Sequence, residues 1–91
     1  MSPILTIDPG ASGGLALLNH ESIIAAFPMP DGMTGQIDAI RHIAATNPGI
    51  MAVLEKVGFH RPGNSAVSTA KFARHCGHLE AALYSVGVPF E

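Results

Sequence analysis

Two apolar runs near the start of the chain are separated by a link of only five residues, PGASG at 9–13, and this short link constrains the fold most strongly. The runs, PILTID at 3–8 and GLALL at 14–18, have the length of ordinary strands. A link this short joins antiparallel neighbours, so the two runs are predicted to form a β-hairpin. A third strand is predicted over 22–27, after turn residues at 19–21, which makes this part of the chain an antiparallel meander.

The second half of the chain has the pattern of a helix, a strand and a longer helix. A helix is predicted over 34–46 with Thr34 as its N-cap. The uninterrupted apolar run IMAVL at 50–54 is typical of a central parallel strand that is buried on both faces. A long helix is predicted over 65–86, and VPFE at 88–91 is typical of the start of a further strand. The buried faces are predicted to comprise Ile37, Ile40, Ile43 and Ala44 in the first helix and Val67, Ala70, Ala73, Cys76 (or Gly77), Leu79, Ala82 and Leu83 in the second.

These elements predict an α/β fold in a single domain over 1–91, with two helices and a mixed sheet of three antiparallel strands and a parallel strand. Apolar residues make up 47% of the 91-residue chain, which is enough for one hydrophobic core. The one cysteine suits a reducing compartment, and no apolar run approaches membrane-spanning length. We therefore expect a soluble, cytoplasmic protein that contacts no membrane.

Positive charge is concentrated in one segment of a chain whose formal net charge is −2. Four of the five lysine and arginine residues fall between positions 56 and 74, and no aspartate or glutamate occurs from 56 to 79. Such a segment is typical of phosphate contacts, but an ordinary solvated helix face explains the same pattern. The sequence HCGH at 75–78 invites a zinc interpretation, yet a structural zinc site needs four ligands, and solvent-facing histidines are the simpler interpretation.

Two carboxylates stand at the ends of predicted central strands, Asp8 after PILTI and Glu55 after IMAVL. A carboxylate at the end of a buried strand carries a desolvation penalty, and two neighbouring carboxylates repel each other. A divalent cation would relieve both effects, because Mg²⁺ and Mn²⁺ prefer hard oxygen ligands. Each residue also has a plainer interpretation, since Asp-Pro-Gly is a common turn and Glu55 with Lys56 is typical of a strand end that meets solvent.

Two segments of the sequence resemble the RuvC-type Holliday-junction resolvases of the ribonuclease H-like superfamily. ILTIDPGASGGLALL at 4–18 is similar to the family's opening strand, which carries IDPG and turns into a second apolar strand. VLEKVGFHRPGNSAVSTAKFARHCGHLEAAL at 53–83 is similar to the block in which a strand ends in Glu, a loop follows and a long helix begins. The second segment is more like phage and prophage members than the bacterial housekeeping enzyme. The resemblance covers nearly all of the chain and implies a ribonuclease H-like sheet.

The resemblance implies a metal-dependent, structure-selective endonuclease that hydrolyses DNA phosphodiester bonds at branched or four-way junctions. Asp8 and Glu55 would be the catalytic, metal-binding carboxylates, with Mg²⁺ or Mn²⁺ as the cofactor. Family members act as dimers on a symmetric junction, so a homodimer or larger self-assembly is expected. Phe59 and His60 would lie on the loop that probes a branch point by stacking. The residues expected to contact phosphates are Lys56, Arg61, Asn64, Lys71 and Arg74.

The sequence departs from the family pattern in its C-terminal part. These nucleases take two more carboxylates from a later helix, after a fifth strand, and neither Glu80 nor Glu91 matches that pair. The resemblance therefore implies a partial ribonuclease H-like domain, truncated before the fifth strand and the C-terminal helix, that is inactive or weakly active alone. A non-catalytic fragment that keeps the fold and DNA binding is the main alternative. An actin-like nucleotide-binding protein, suggested by the Asp-x-Gly turn, is a more distant one.

Overall fold

The computed structural model describes residues 3–20, 22–55 and 66–91 of the chain. Within these ranges the polypeptide forms four strands and two helices, each close to a predicted element. Their bounds are β1 Ile4–Asp8, β2 Gly14–Asn19, β3 Ser22–Pro28, α1 Gly32–Thr46, β4 Met51–Leu54 and α2 Ala66–Ser85.

The four strands form one mixed sheet in the order β3-β2-β1-β4. β1 pairs with β2, and β2 with β3, in the antiparallel sense, whereas β4 lies parallel to β1 on its other side. The chain reaches this parallel position through α1, because parallel neighbours cannot be joined by a tight turn. The α/β architecture with three antiparallel strands and a parallel strand is confirmed.

The last residues of the chain extend the sheet on the outer side of β4. Phe90 forms a parallel bridge with Ala52. The Leu54 N–H donates to the Glu91 carbonyl at 2.8 Å, and the Glu91 N–H donates to the Ala52 carbonyl at 3.1 Å. The prediction that residues 88–91 begin a further strand is therefore confirmed, and this strand start protects part of the outer edge of β4.

The hydrophobic core lies between one face of the sheet and the two helices. Alternate strand residues point toward the helices, which is why β1 buries Leu5 and Ile7 while β4 buries Ala52 and Leu54. Full burial of one such leucine or isoleucine side chain stabilises the fold by about 2 kcal/mol. The helix residues that complete the core are Ile40, Ile43, Cys76, Leu79, Ala82 and Leu83.

α1 begins earlier than its sequence pattern predicts. The helix starts at Gly32 with Asp31 as its N-cap residue, so the prediction that Thr34 caps the helix is wrong. Gly32 has a φ of 72°, a conformation that favours glycine, and it turns the chain from β3 directly into the first helical turn. The predicted buried face is correct, since Ile40 and Ile43 are buried in the core.

α2 is buried only in its C-terminal half. The prediction that Val67, Ala70 and Ala73 are buried is wrong, because all three are exposed and Val67 is 64% accessible. Phe72 is the first residue of the helix that packs against the core, so the first turns of α2 extend past the sheet. Within the described ranges, neither α1 nor α2 combines the length and the apolar character that crossing a membrane requires.

One face of the sheet is turned away from both helices and carries exposed apolar residues. The prediction that residues 50–54 are buried on both faces is wrong, because Met51 is 40% and Val53 is 36% accessible. Ile4 of β1 lies beside Met51 in the parallel register and is also exposed. The continuous apolar run of β4 thus alternates in burial, since α1 and α2 pack against the same side.

Candidate metal centre at the ends of β1 and β4

The two carboxylates predicted as a pair lie side by side in the sheet. Asp8 is the last residue of β1, and Glu55 directly follows β4. The parallel register pairs Ile7 with Leu54, and the Glu55 N–H donates to the Ile7 carbonyl at 2.9 Å. Because neighbouring strands are about 4.8 Å apart, the same register sets Glu55 next to Asp8.

Both carboxylates belong to the sheet face opposite the helices. Asp8 alternates with buried Ile7, and Glu55 alternates with buried Leu54, so neither carboxylate points into the core. Both residues are exposed, and the burial penalty predicted for them from the sequence is wrong. A pair of accessible oxygen donors on adjacent strands remains, and hard divalent cations prefer such donors.

Two glycines of the turn after Asp8, Gly13 and Gly14, are packed against backbone atoms. A Cβ on Gly13 would lie 1.8 Å from the Asp8 carbonyl oxygen, and one on Gly14 would lie 2.6 Å from the Phe27 carbonyl oxygen. The Gly13 N–H donates to the Gly10 carbonyl at 3.0 Å, which closes the turn. The glycines therefore hold the backbone of Asp8 in close contact with the turn that follows it.

One of the histidines predicted to face solvent, His75, contacts this turn. The Gly10 N–H donates to His75 Nδ1 at 3.0 Å, across a sequence separation of 65 residues. The other ring nitrogen, Nε2, lies 2.8 Å from Gln36 Oε1 in α1. Burial, followed by the nearby His78, lowers the pKa of His75 below its ordinary value of 6.5, which favours the neutral ring. No local signal identifies this contact, because Gly10 and His75 meet only in the folded chain.

The zinc interpretation of HCGH does not suit His75. The His75 and His78 ring centroids lie 6.1 Å apart, but both His75 nitrogens are already occupied by Gly10 and Gln36. Among the described residues, no group of three or more histidine, cysteine, aspartate or glutamate side chains is arranged to hold a metal ion. Asp8 and Glu55 are two oxygen donors at adjacent strand ends, and their role as metal ligands stays a prediction.

The predicted phosphate-binding residues are only partly described. Lys71 and Arg74 lie on the exposed side of α2. Across the described ranges, the side-chain ion pair present joins Arg41 and Asp38 at 3.5 Å, so Lys71 and Arg74 are not neutralised by an ion pair there. The predictions for Lys56, Arg61 and Asn64, and for Phe59 and His60, concern residues outside the described ranges.

The sequence matches no protein-family model and no curated protein. The fold, in contrast, superposes on the Thermus thermophilus RuvC structure with a TM-score of 0.55, at 16% sequence identity and over 97% of this chain. This chain has a RuvC-like fold. It covers 61% of the Thermus RuvC chain, about three fifths of that length. At this level of identity the likeness to RuvC concerns the fold, and it agrees with the ribonuclease H-like sheet that the sequence predicts.

Proposed function

We propose that this chain belongs to a RuvC-like, metal-dependent endonuclease that binds branched DNA and hydrolyses its phosphodiester bonds. The observation that carries the proposal is the pairing of Asp8 and Glu55 at adjacent strand ends within a RuvC-like fold. Ligands of open sheets bind at strand ends, and carboxylates there are suited to a divalent ion. With two carboxylates from this chain at the site, we expect the chain by itself to be weakly active.

Asp8 and Glu55 would hold Mg²⁺ or Mn²⁺ through their carboxylate oxygens. When bound, such an ion activates water and neutralises the charge of a phosphate group. The two exposed carboxylates would hold the ion on the open face of the sheet, where a DNA backbone would have access to it. Gly13 and Gly14 keep the turn beside Asp8 narrow, because a Cβ on either residue would meet backbone atoms.

Lys71 and Arg74 are proposed to contact DNA phosphates from α2. Both are exposed and lie four and one residues before His75, on the helix whose His75 contacts the turn after Asp8. Together with Lys56, Arg61 and Asn64, they would position DNA without reading its sequence. The net charge of −2 makes such local contacts the main electrostatic attraction for DNA.

A homodimer is proposed through the exposed face of α2. Small or apolar residues recur there at spacings of three, four or seven, which is the pattern of a helix that pairs with another helix. Tyr84, at 82% accessibility, is the largest of them. The small or apolar residues of this face are Val67, Ala70, Gly77, Ala81 and Tyr84, all exposed, and the charged Arg74 lies on the same face. Pairing of two copies would present two metal centres to a symmetric DNA junction.

Cleavage of a labelled four-way junction tests the proposal directly. We expect the wild-type chain with Mn²⁺ to cut the junction in preference to linear duplex. Asp8→Asn and Glu55→Gln should each lower the cleavage rate at least 100-fold, because each removes a charged oxygen ligand. Asp31→Asn is the matched control, since the exposed Asp31 side chain makes no capping hydrogen bond and this variant should cut normally.

Three results of this assay would count against the proposal. Equal cleavage of junction and linear duplex would contradict the structure selectivity. Cleavage that persists in Asp8→Asn would contradict the assignment of the metal centre. Junction binding by the folded chain without any cleavage would favour the non-catalytic alternative.

A further inference from the structure

The turn that follows Asp8 is held in place by hydrogen bonds from distant parts of the chain. The Met29 N–H donates to the Gly13 carbonyl at 3.0 Å, which ties the end of the turn to the segment after β3. The Gly10 N–H donates to His75 Nδ1 at 3.0 Å, which ties its beginning to α2. Of these anchors, the His75 ring is the one supplied by a side chain.

The hydrogen bonds around His75 run in one direction and specify one form of the ring. Gln36 Nε2 donates to the Pro30 carbonyl at 3.0 Å, so the amide oxygen of Gln36 faces His75 as an acceptor. His75 Nε2 must therefore carry the proton that it donates to Gln36, which leaves Nδ1 as the acceptor for Gly10. Only the neutral, Nε2-protonated ring satisfies all three contacts.

The short backbone link between Asp8 and Gly10 couples the positions of these two residues. Pro9, the single residue between them, is buried and has its φ angle fixed by the ring. Gly10 has a φ of 110°, in a region that glycine reaches easily and leaves easily. Without an acceptor at His75 Nδ1, Gly10 gains conformational freedom, and the turn that begins after Asp8 is held less firmly.

We propose that His75 is a positioning residue for the metal centre: by accepting the Gly10 hydrogen bond, it fixes the turn that orients the Asp8 carboxylate. This inference rests on the proposed function, because it assumes that Asp8 binds a divalent ion. In this role His75 needs no contact with the ion or with DNA. It acts through the backbone of Gly10 and Pro9, in the way that outer residues commonly orient metal ligands.

Two substitutions of His75 separate its two ring contacts. In His75→Asn, the side-chain oxygen replaces Nδ1 and keeps an acceptor for the Gly10 N–H. In His75→Gln, the side-chain nitrogen replaces Nε2 and keeps a donor for Gln36, but no acceptor faces Gly10. His42→Gln is the control for the same change at an exposed histidine of α1.

The measurements are Mn²⁺ affinity by calorimetry, Gly10 amide hydrogen exchange by NMR, and the melting temperature. We expect His75→Gln to bind Mn²⁺ about tenfold more weakly and to exchange its Gly10 amide faster. His75→Asn should retain both properties within about twofold, even though both variants lose the ring and melt earlier. A purely structural role would lower the Mn²⁺ affinity of both variants alike or of neither.

Asp8→Asn in the same titration distinguishes the inference from the proposed function. Mn²⁺ binding that is absent from the wild type, or unchanged in Asp8→Asn, overturns the proposed function and this inference with it. Binding that requires Asp8 but is equally strong in His75→Gln and the wild type overturns the inference alone. Equal losses of affinity in His75→Asn and His75→Gln also overturn it. If His75→Gln does not fold, Gln36→Ala takes its place in the titration. This change removes the hydrogen bond that holds the His75 ring to α1, so Mn²⁺ binding should weaken about threefold. Unchanged Mn²⁺ binding in Gln36→Ala would overturn the inference.

Discussion

At the scale of single residues, close backbone contacts decide the shape of the turn beside Asp8. Gly13 is packed against the Asp8 carbonyl so closely that no side chain fits, and this carbonyl cannot move without shifting β1. Gly77 in α2 is the opposite case, because a Cβ there meets nothing within 4 Å. Packing against the backbone therefore requires glycine at position 13 but not at position 77.

Gly13→Ala should lower the free energy of unfolding by about 3 kcal/mol, because the added methyl group overlaps the Asp8 backbone. Gly77→Ala should instead raise it by about 0.5 kcal/mol, since alanine favours the helix and has room. Urea denaturation of both variants checks the pair. A Gly13→Ala protein as stable as the wild type would mean that the turn does not have this conformation in solution.

His75 should make the stability of the protein depend on pH. Burial, and then His78, lowers the pKa of His75 in the folded state below the ordinary value of 6.5. Its contribution to stability is therefore fully present above pH 6.5 and is lost as the pH falls through the folded-state pKa. Urea denaturation between pH 5 and 8 should show a steeper acid loss in the wild type than in His75→Asn. Parallel curves for the two proteins would contradict this linkage.

At the scale of elements, α2 has two faces with different tasks. One face places Cys76, Leu79 and Leu83 in the core, and His75 reaches the turn after Asp8 from the same helix. The face proposed for pairing is exposed and carries small residues, so its burial depends on a second copy. The same helix thus contacts the turn beside Asp8 and carries the face proposed for the dimer.

Ala81→Glu should weaken self-association, because it places a charge within the proposed helix pair. Ala45→Glu is the matched control, since Ala45 is an exposed alanine of α1. Sedimentation equilibrium should give a dimer dissociation constant at least tenfold higher for Ala81→Glu and an unchanged one for Ala45→Glu. A monomeric wild type at tens of micromolar, or equal effects of the two changes, would rule out pairing through this face.

At the scale of the whole molecule, the proposed DNA binding would depend on a small basic region of a chain whose net charge is −2. Lys71 and Arg74 lie on one helix, while Arg41 is paired with Asp38 on another. Each cation that contacts a phosphate releases a counterion, so binding weakens with salt in proportion to the number of contacts. The salt dependence of junction binding therefore measures how many such contacts form.

Lys71→Gln and Arg74→Gln should each reduce the slope of log affinity against log salt by about 1 and leave the preference for junctions unchanged. Arg41→Gln should leave the slope as it is in the wild type, because Arg41 lies on α1, outside the proposed basic region, where it pairs with Asp38 at 3.5 Å. Fluorescence anisotropy at several salt concentrations gives the slopes. An unchanged slope in both α2 variants would remove them from the DNA interface.

The sequence alone determined the elements and the location of the carboxylate pair. A five-residue link between two apolar runs permits little besides a hairpin, and periodicity marks both helices. Asp8 and Glu55 follow from the same reasoning, because each ends a strand-like run. These signals lie within short segments of the sequence, so they can be recognised without knowing how the chain packs.

The tertiary structure alone decided which surfaces are buried and which side chains meet. Val67 continues the apolar period of α2 but is exposed, since the sheet does not extend that far. β4 is apolar throughout yet buries alternate residues, because both helices pack on one side. The contact between Gly10 and His75 joins residues 65 positions apart. Local sequence patterns cannot predict this contact, because the His75 ring reaches the turn after Asp8 only when α2 packs against the sheet.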